Sequence, residues 1–378
     1  MPASFPAALE GWLLRQWFAA PDRRSWFTLL AGLPARVTAH VAGRRRAEIV
    51  ANKRLLNANR IKNKEPITII VGNLVAGGGG KTPLTLALAE SLGGRGLSVG
   101  IVCRGHGSAD PLQATVVTGQ AAVEQVGDEA LLLALASGLP VVAGRARAPA
   151  VALLKATVPG LDVILSDDGL THRSLARHVE LAVFDRRGTG NGRLLPAGPL
   201  REPLAHLATM DAVVRNHGWL APGQTSGQTR WPAHPRVFDS HLVVRDVISL
   251  ADWAGDTTVG HESPPGANPA ILPTEPPVSL QTLAARGRPV AAIAGIAHPE
   301  GFFDLLRQHG LTVEPYRPGD HRAMSPPDLQ TIGTPVILLT EKDAVKYRHL
   351  RDPRLHVLRI AARPQVALTD WLEKEIRG

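Results

Sequence analysis

Gly77, Gly78, Gly79 and Gly80 run directly into Lys81 and Thr82, and an apolar, β-branched stretch over residues 67–71 leads up to them. Residues without side chains let main-chain N–H groups converge on a polyanion, an ammonium supplies a point charge for its outer phosphates, and a hydroxyl can bind Mg²⁺. This is the chemistry of holding a nucleoside triphosphate, with Val75 and Ala76 opening the loop. The strict spacing Gly-x-x-x-x-Gly-Lys-Ser/Thr asks for glycine at 75, where this chain has Val75, so the match is to a variant loop. An ordinary strand-to-helix turn can be spelled the same way. The strand before it and the periodic Leu84, Leu86, Leu88, Ala89 and Leu92 after it supply the setting a phosphate loop needs.

Three further patterns carry charge at informative places. Residues 163–169 read as an apolar strand ending in Asp167 and Asp168, which suits a strand that organises Mg²⁺, although paired aspartates before glycine also occur in plain turns. Gly127, Asp128, Glu129 and Ala130 fit either a helix start with dipole-favoured acids or a functional pair. Gly319, Asp320 and His321 place an imidazole beside a carboxylate, a pairing suited to acid–base work and equally common in surface turns. Residues 194–202, Leu-Leu-Pro-Ala-Gly-Pro-Leu-Arg-Glu, are too specific for a random loop, but their chemistry alone does not state a role.

The elements that must position these groups alternate. From Pro66 onward, strand-like and helix-like segments follow one another, which predicts an α/β fold with a P-loop NTPase-like, doubly wound, mostly parallel sheet. Ligands in such sheets sit at the carboxyl ends of strands, where the residues named above fall. Residues 220–236 and 254–277, rich in Pro, Gly, Ser and Thr, read as connections. The expected organisation is an N-terminal segment over 1–64, a kinase-like core over 65–235, and a linker with a smaller C-terminal α/β lobe over 236–378.

Residues 1–64 hold twelve Lys/Arg against three Asp/Glu, so this segment accounts for the whole formal excess of +9. The body is formally neutral, which argues against nucleic acid as a partner. Trp12, Trp17, Phe18, Trp26, Phe27, Leu29, Leu30 and Leu33 are interleaved with those cations, the mark of a helical element on an anionic membrane surface. The uncharged stretch over 25–35 contains Pro34 and is well short of the roughly 20 residues that span a bilayer. No signal-peptide order is present. An amphipathic helix packed on the body, with solvated arginines, remains the alternative. One cysteine, Cys103, rules out an intrachain disulfide and fits a reducing compartment.

Taken in order, VGNLVAGGGGKTP, CRGHG at 103–107, GDEA at 127–130, SDDGLTH at 166–172, GNGRLLPAGPLRE at 190–202, AGIAHPEGFF at 294–303, GDH at 319–321 and TEKDAVK at 340–346 resemble the lipid A 4′-kinase (tetraacyldisaccharide 4′-kinase) family. The resemblance implies ATP- and Mg²⁺-dependent phosphorylation of the 4′-hydroxyl of an acylated glucosamine disaccharide 1-phosphate, forming lipid IVA at the cytoplasmic face of the inner membrane, by a monomer. Carried over by motif, Lys81 and Thr82 serve phosphate and metal, and Asp128 with His321 is the base pair. Asp167, Asp168 and Glu202 serve metal and catalytic organisation, while Arg147, His172 and Arg201 are phosphate-side groups. His106 stands where the family usually has tyrosine, and Thr171 where it has glutamine.

A nucleotide-gated switch is a different class of function. Guanine-selective switches usually carry Asn-Lys-x-Asp, and Glu341-Lys342-Asp343 has neither the asparagine nor the spacing. A scaffold with a decayed nucleotide site would not need Lys81, Thr82, Asp167 and Asp168 together.

Overall fold

The computed structural model describes residues 7–19, 25–63, 65–110, 112–219, 229–256, 278–296, 299–319 and 321–378. It is mixed α/β with a large, mostly parallel sheet. In chain order the strands are β1 (Ile67–Gly72), β2 (Val99–Cys103), β3 (Thr115–Val117), β4 (Val141–Ala143), β5 (Val163–Asp167), β6 (Val179–Phe184), β7 (Ala212–Trp219), β8 (Val237–Ser249), β9 (Val290–Ile293), β10 (Val313–Tyr316), β11 (Ile337–Thr340) and β12 (Leu355–Pro364). Two compact units interleave along the sequence. One draws on 1–81, 168–241 and 364–372, the other on 82–167, 242–363 and 373–378.

In the first unit, β6 lies between β1 and β7, all parallel, with Ile69 opposite Val179 and Leu181 opposite Ala212. All six residues of β1 and of β6 are buried, as expected of near-continuous Ile, Val and Leu in a strand covered on both faces. Before the sheet comes a 32-residue helix, Gly32–Asn63. It docks through Ala42, Arg46 and Ile49, which are buried. The Arg46 guanidinium makes a two-pronged ion pair with Glu180 on β6, both bonds 2.7 Å, and Arg177 Nη1 adds a third at 2.9 Å. Lys53 pairs with Asp211 from the next turns of the helix. The charge count of the N-terminal segment therefore overstates its surface charge, because Arg46 and Lys53 are neutralised by body carboxylates.

In the second unit, β2 lies between β4 and β5, and the Arg147–Thr157 helix packs Ala150 and Leu154 onto Val102, Val142 and Ile164. A further parallel set has β9 between β10 and β11, with β12 beside β11. The Glu341–Tyr347 helix packs on the Asp128–Ser137 helix. Among the pairings of the described residues, β3 runs antiparallel to β4, against the parallel pattern of its neighbours. The described residues of the connection over 104–114 contain no helix, and without a crossover to carry it back the chain enters β3 from the end at which it left β2.

Among the described residues, no helix is long and apolar enough to cross a membrane. Most of the expected connections over 220–236 and 254–277 lie outside the described residues, as does Asp320.

Candidate active site

The glycine loop follows β1 and precedes the Lys81–Gly93 helix, which starts two residues ahead of Pro83. Proline in a first helical turn forfeits no hydrogen bond, because the N–H it lacks would have no helical partner. Three side chains hold the loop by its carbonyls. Asn73 Nδ2 donates to Gly77 O at 3.2 Å, Arg187 Nη2 to Gly78 O at 2.6 Å, and Asn216 Nδ2 to Gly79 O at 3.3 Å. With its carbonyls turned to these donors, the loop keeps its N–H groups for another acceptor: none among the described residues takes the N–H of Gly77, Gly78 or Gly79. Gly80 has φ +77°, and a Cβ there would collide with the Asn216 amide, so both conformation and space demand glycine. Ala76 N donates to Pro199 O at 2.8 Å, and Val75 bridges to Leu200, which ties the front of the loop to the proline-rich segment.

Lys81 Nζ lies 3.2 Å from Asn73 Oδ1 and 3.6 Å from Asp168 Oδ1. Arg201 reaches the same Asp168 oxygen at 3.6 Å, so one carboxylate stands between two cations. Asp168 sits at φ +55°, a left-handed conformation uncommon for a residue with a side chain, directly after β5. His172 closes the turn that follows, its N–H donating to Gly169 O at 3.1 Å and its carbonyl accepting from Arg177. The segment over 190–202, whose role the sequence left open, fastens at both ends. Arg201 N donates to Leu74 O at 2.6 Å, Asn191 N donates to Trp17 O at 2.7 Å, and Trp17 Nε1 donates to Pro196 O at 2.9 Å. It thus links the Ala7–Trp17 helix to the end of β1. Glu202 is buried, with Oε2 3.1 Å from His206 Nδ1, and its Oε1 has no hydrogen-bond partner among the described residues.

In the second unit, Thr82 Oγ1 donates to Asp167 Oδ2 at 2.8 Å. A hydroxyl and a buried carboxylate side by side form a hard-oxygen donor set, the kind that Mg²⁺ accepts together with phosphate oxygens and waters. The two residues present fit that ion. Arg147, expected on the phosphate side, is fully buried with its guanidinium on main-chain carbonyls. Its Nη1 donates to Cys103 O at 2.7 Å and Gly144 O at 2.5 Å, and its Nη2 to Asp167 O at 3.2 Å. It joins the ends of β2 and β5 and the residue after β4, holding Asp167 in place. Burial pushes the adjacent Cys103 thiol up to about 12, so it is no nucleophile.

His321 Nδ1 lies 2.9 and 3.0 Å from the two Asp128 oxygens, across 193 residues of sequence. Gly127, at φ +85°, turns the chain into the helix that starts at Asp128, and a Cβ there would strike the His106 carbonyl. Burial alone would raise the Asp128 carboxyl. The hydrogen bond with His321 and the charges of Lys342 and Lys346 outweigh burial and hold it below the ordinary carboxylate range. The His106 ring packs 4.7 Å from the His321 ring, tilted by 36°. Around this pair stand residues whose roles were not legible in the sequence. Lys342 Nζ is 3.3 Å from His321 Nε2 and 3.4 Å from Glu129 Oε1, and Lys346 Nζ is 3.9 Å from Asp128 and 3.0 Å from Asp343. The i, i+4 spacing of the two lysines at the start of a helix was the available signal. Asn73, Arg187 and Asn216 were likewise missed, and only Asn73 lies within a recognised motif.

An ammonium beside a glycine loop, a hydroxyl–carboxylate pair and an ionised Asp–His pair are the parts required to bind a nucleotide and deprotonate an acceptor hydroxyl. Comparisons with known proteins place the whole chain in a family. The family described as "Tetraacyldisaccharide-1-P 4'-kinase" matches residues 33–377. A tetraacyldisaccharide 4′-kinase from Dechloromonas aromatica is 40% identical over 98% of this chain and 98% of its own. One from Bordetella petrii is 38% identical over 93% and 92%. Among solved structures, LpxK from Aquifex aeolicus in complex with ATP aligns with a TM-score of 0.61 at 22% identity, covering 88% of this chain and 99% of its own, which bears on the fold. With the family model matching residues 33–377 and relatives alike over nearly their full length, this chain belongs to the tetraacyldisaccharide-1-P 4′-kinase family.

Proposed function

We propose that this chain is an ATP-dependent kinase that transfers the γ-phosphate to the 4′-hydroxyl of tetraacyldisaccharide 1-phosphate, yielding lipid IVA in lipid A biosynthesis. The observation that carries the nucleotide half is the glycine loop, whose carbonyls are held by Asn73, Arg187 and Asn216. In this reading the loop is a phosphate loop. The N–H groups of Gly77–Gly80 cradle the phosphates, and Lys81 places its charge on the outer ones. Thr82 and Asp167 hold Mg²⁺, with Glu202 as a further carboxylate. When bound, that ion neutralises charge on the phosphates being transferred. Arg201, with His172, serves the phosphate side, and Asp168 sets the reach of both Lys81 and Arg201. Asp128, ionised and held by His321, takes the proton of the acceptor hydroxyl.

An anionic membrane surface is the proposed partner of residues 1–64, at the cytoplasmic face of the inner membrane, where ATP and a lipid acceptor meet. Trp26, Leu29, Leu33, Val37 and Val41 are all exposed and recur every three or four residues, with exposed Leu30 beside Leu29, an apolar stripe along the Trp26–Leu30 and Gly32–Asn63 helices. Trp12 packs on Trp26 and Phe27 at 6.1 and 5.0 Å between ring centroids, an aromatic group at the head of that stripe. Both catalytic constellations come from one chain, consistent with a monomer.

The deciding experiment is phosphoryl transfer from γ-labelled ATP to detergent-dispersed tetraacyldisaccharide 1-phosphate. Label should enter the lipid only when Mg²⁺ is supplied. Nucleotide binding without any labelled lipid would defeat the proposal in favour of a nucleotide-gated switch.

A further inference from the structure

We propose that Lys342 is a positioning residue of the phosphoryl-transfer site: it fixes His321 as the neutral Nδ1–H tautomer, so that Asp128 and not the imidazole receives the hydroxyl proton. The inference rests on the kinase reading above. Both ring nitrogens of His321 are engaged. Nδ1 faces the two oxygens of Asp128, and an ionised carboxylate only accepts, so Nδ1 carries the proton. Nε2 faces the Lys342 ammonium at 3.3 Å, and an ammonium only donates, so Nε2 presents its lone pair. The two conditions together select one protonation state. An imidazolium would set an N–H against a cation, and the other tautomer would set a lone pair against a carboxylate.

The consequence concerns which atom is the base. In a triad of the serine-hydrolase kind, the carboxylate orients the ring and the far nitrogen takes the proton. Here the far nitrogen is occupied by Lys342. The group with open acceptor capacity is the Asp128 carboxylate. The hydroxyl O–H bond breaks with its proton passing to an Asp128 oxygen, while the hydroxyl oxygen forms the new bond to phosphorus. The bond from phosphorus to the bridging oxygen breaks, and its electron pair leaves on ADP.

Lys342 can hold a ring nitrogen because its helix is itself held. Asp343, fully buried, accepts from Gly295 N at 2.9 Å and from Thr340 Oγ1 at 2.6 Å. Lys346 Nζ donates to Arg322 O at 3.2 Å, and Met324 N donates to the Tyr347 hydroxyl at 2.6 Å. The chain on the C-terminal side of His321 is thereby fastened to the helix that carries Lys342. Among the described residues, the charged and titratable groups around the pair include His106, Glu129, Lys342, Asp343 and Lys346.

The test begins with the full-length parent, labelled with ¹⁵N-histidine and with His321 assigned by loss of its signals in His321→Gln. At pH 8, Nδ1 should appear as N–H and Nε2 as a bare pyridine-type nitrogen. A protonated Nε2 overturns the proposal without any variant. In Lys342→Met, kcat should fall about tenfold with the KM for ATP unchanged, and the acidic limb of its pH profile should move up by about one unit as Asp128 loses a nearby cation. Lys342→Arg, which keeps charge and donor, should recover most of both. A parent-like tautomer and pH profile in folded Lys342→Met would also overturn the proposal. Failure of the parent to phosphorylate lipid would instead refute the kinase reading, with the tautomer measurement still deciding the state of His321.

Discussion

The glycine loop and the Asp128–His321 pair are built in opposite ways. The loop, with its lysine and threonine, is six consecutive residues that run from a strand into the first turn of a helix, and the local chain path brings its groups together. The Asp–His pair draws on a helix start, a turn 193 residues later, and Lys342 on a further helix. The difference teaches where function is robust. A loop assembled locally needs only its glycines and the three side chains that hold it, whereas a dyad assembled from distant segments depends on everything that keeps those segments in register.

The largest effect should come from the loop. Lys81→Ala removes the charge placed on the outer phosphates, and turnover should fall on the order of a thousandfold with the melting temperature unchanged. Steady-state kinetics beside a thermal melt checks this, and near-parent turnover would remove the phosphate-loop assignment.

For the dyad, Asp128→Asn should depress kcat by about 10²–10⁴ while leaving nucleotide affinity alone. His321→Ala should lose less by itself, and the double variant should be little worse than Asp128→Asn, because both act as one unit. Additive losses would separate the two residues and break the comparison. The same carboxyl bears on stability. Its value in the fold lies below the ordinary one, so ionised Asp128 contributes stability above about pH 4 that is lost as pH falls through its depressed value. Asp128→Asn should flatten that part of the melting temperature against pH.

Arg147 sharpens the contrast, since its motif suggests phosphate and its contacts are structural. Arg147→Met strips donors from the carbonyls of Cys103, Gly144 and Asp167, and stability should drop by roughly 2–4 kcal/mol in a denaturant titration. An unchanged midpoint with a raised KM for ATP would return Arg147 to the phosphate side.

The smallest effect on chemistry should come from the N-terminal stripe. Replacing Trp26, Leu30 and Leu33 by Asp should leave turnover in detergent within about twofold, yet sharply reduce co-sedimentation with anionic vesicles, because apolar insertion is lost. Unaltered sedimentation would make the stripe a packing face. Arg46 offers a control inside the same helix. Its partner Glu180 is buried, so Arg46→Met should cost about 3–5 kcal/mol of stability and leave vesicle binding intact.

Hydrophobic periodicity, a glycine cluster and charges at strand ends act within a few residues of one another, and for that reason they were readable. The strand at 67–71, the helix over 82–93, the Asp128 helix start and the carboxylates at the end of β5 stand where their patterns put them. The basic, aromatic character of residues 1–64 was equally plain. What composition could not reveal is which cations face outward. Arg36 and Arg44 are exposed, while Arg46 and Lys53 lie against Glu180 and Asp211, a distinction set by one helix face docking on β6. Nor could spacing pair Asn216 and Arg187 with the loop or Lys342 with His321, because hydrogen-bond partners are chosen by distance in space and not along the chain. The antiparallel turn of β3 had the same origin, a connection too irregular to carry the chain back. Sequence determined the residues proposed to hold phosphate, metal and proton; only the tertiary structure decided which nitrogen of His321 faces a carboxylate and which an ammonium, because that choice lies in the packing of helices far apart in the chain.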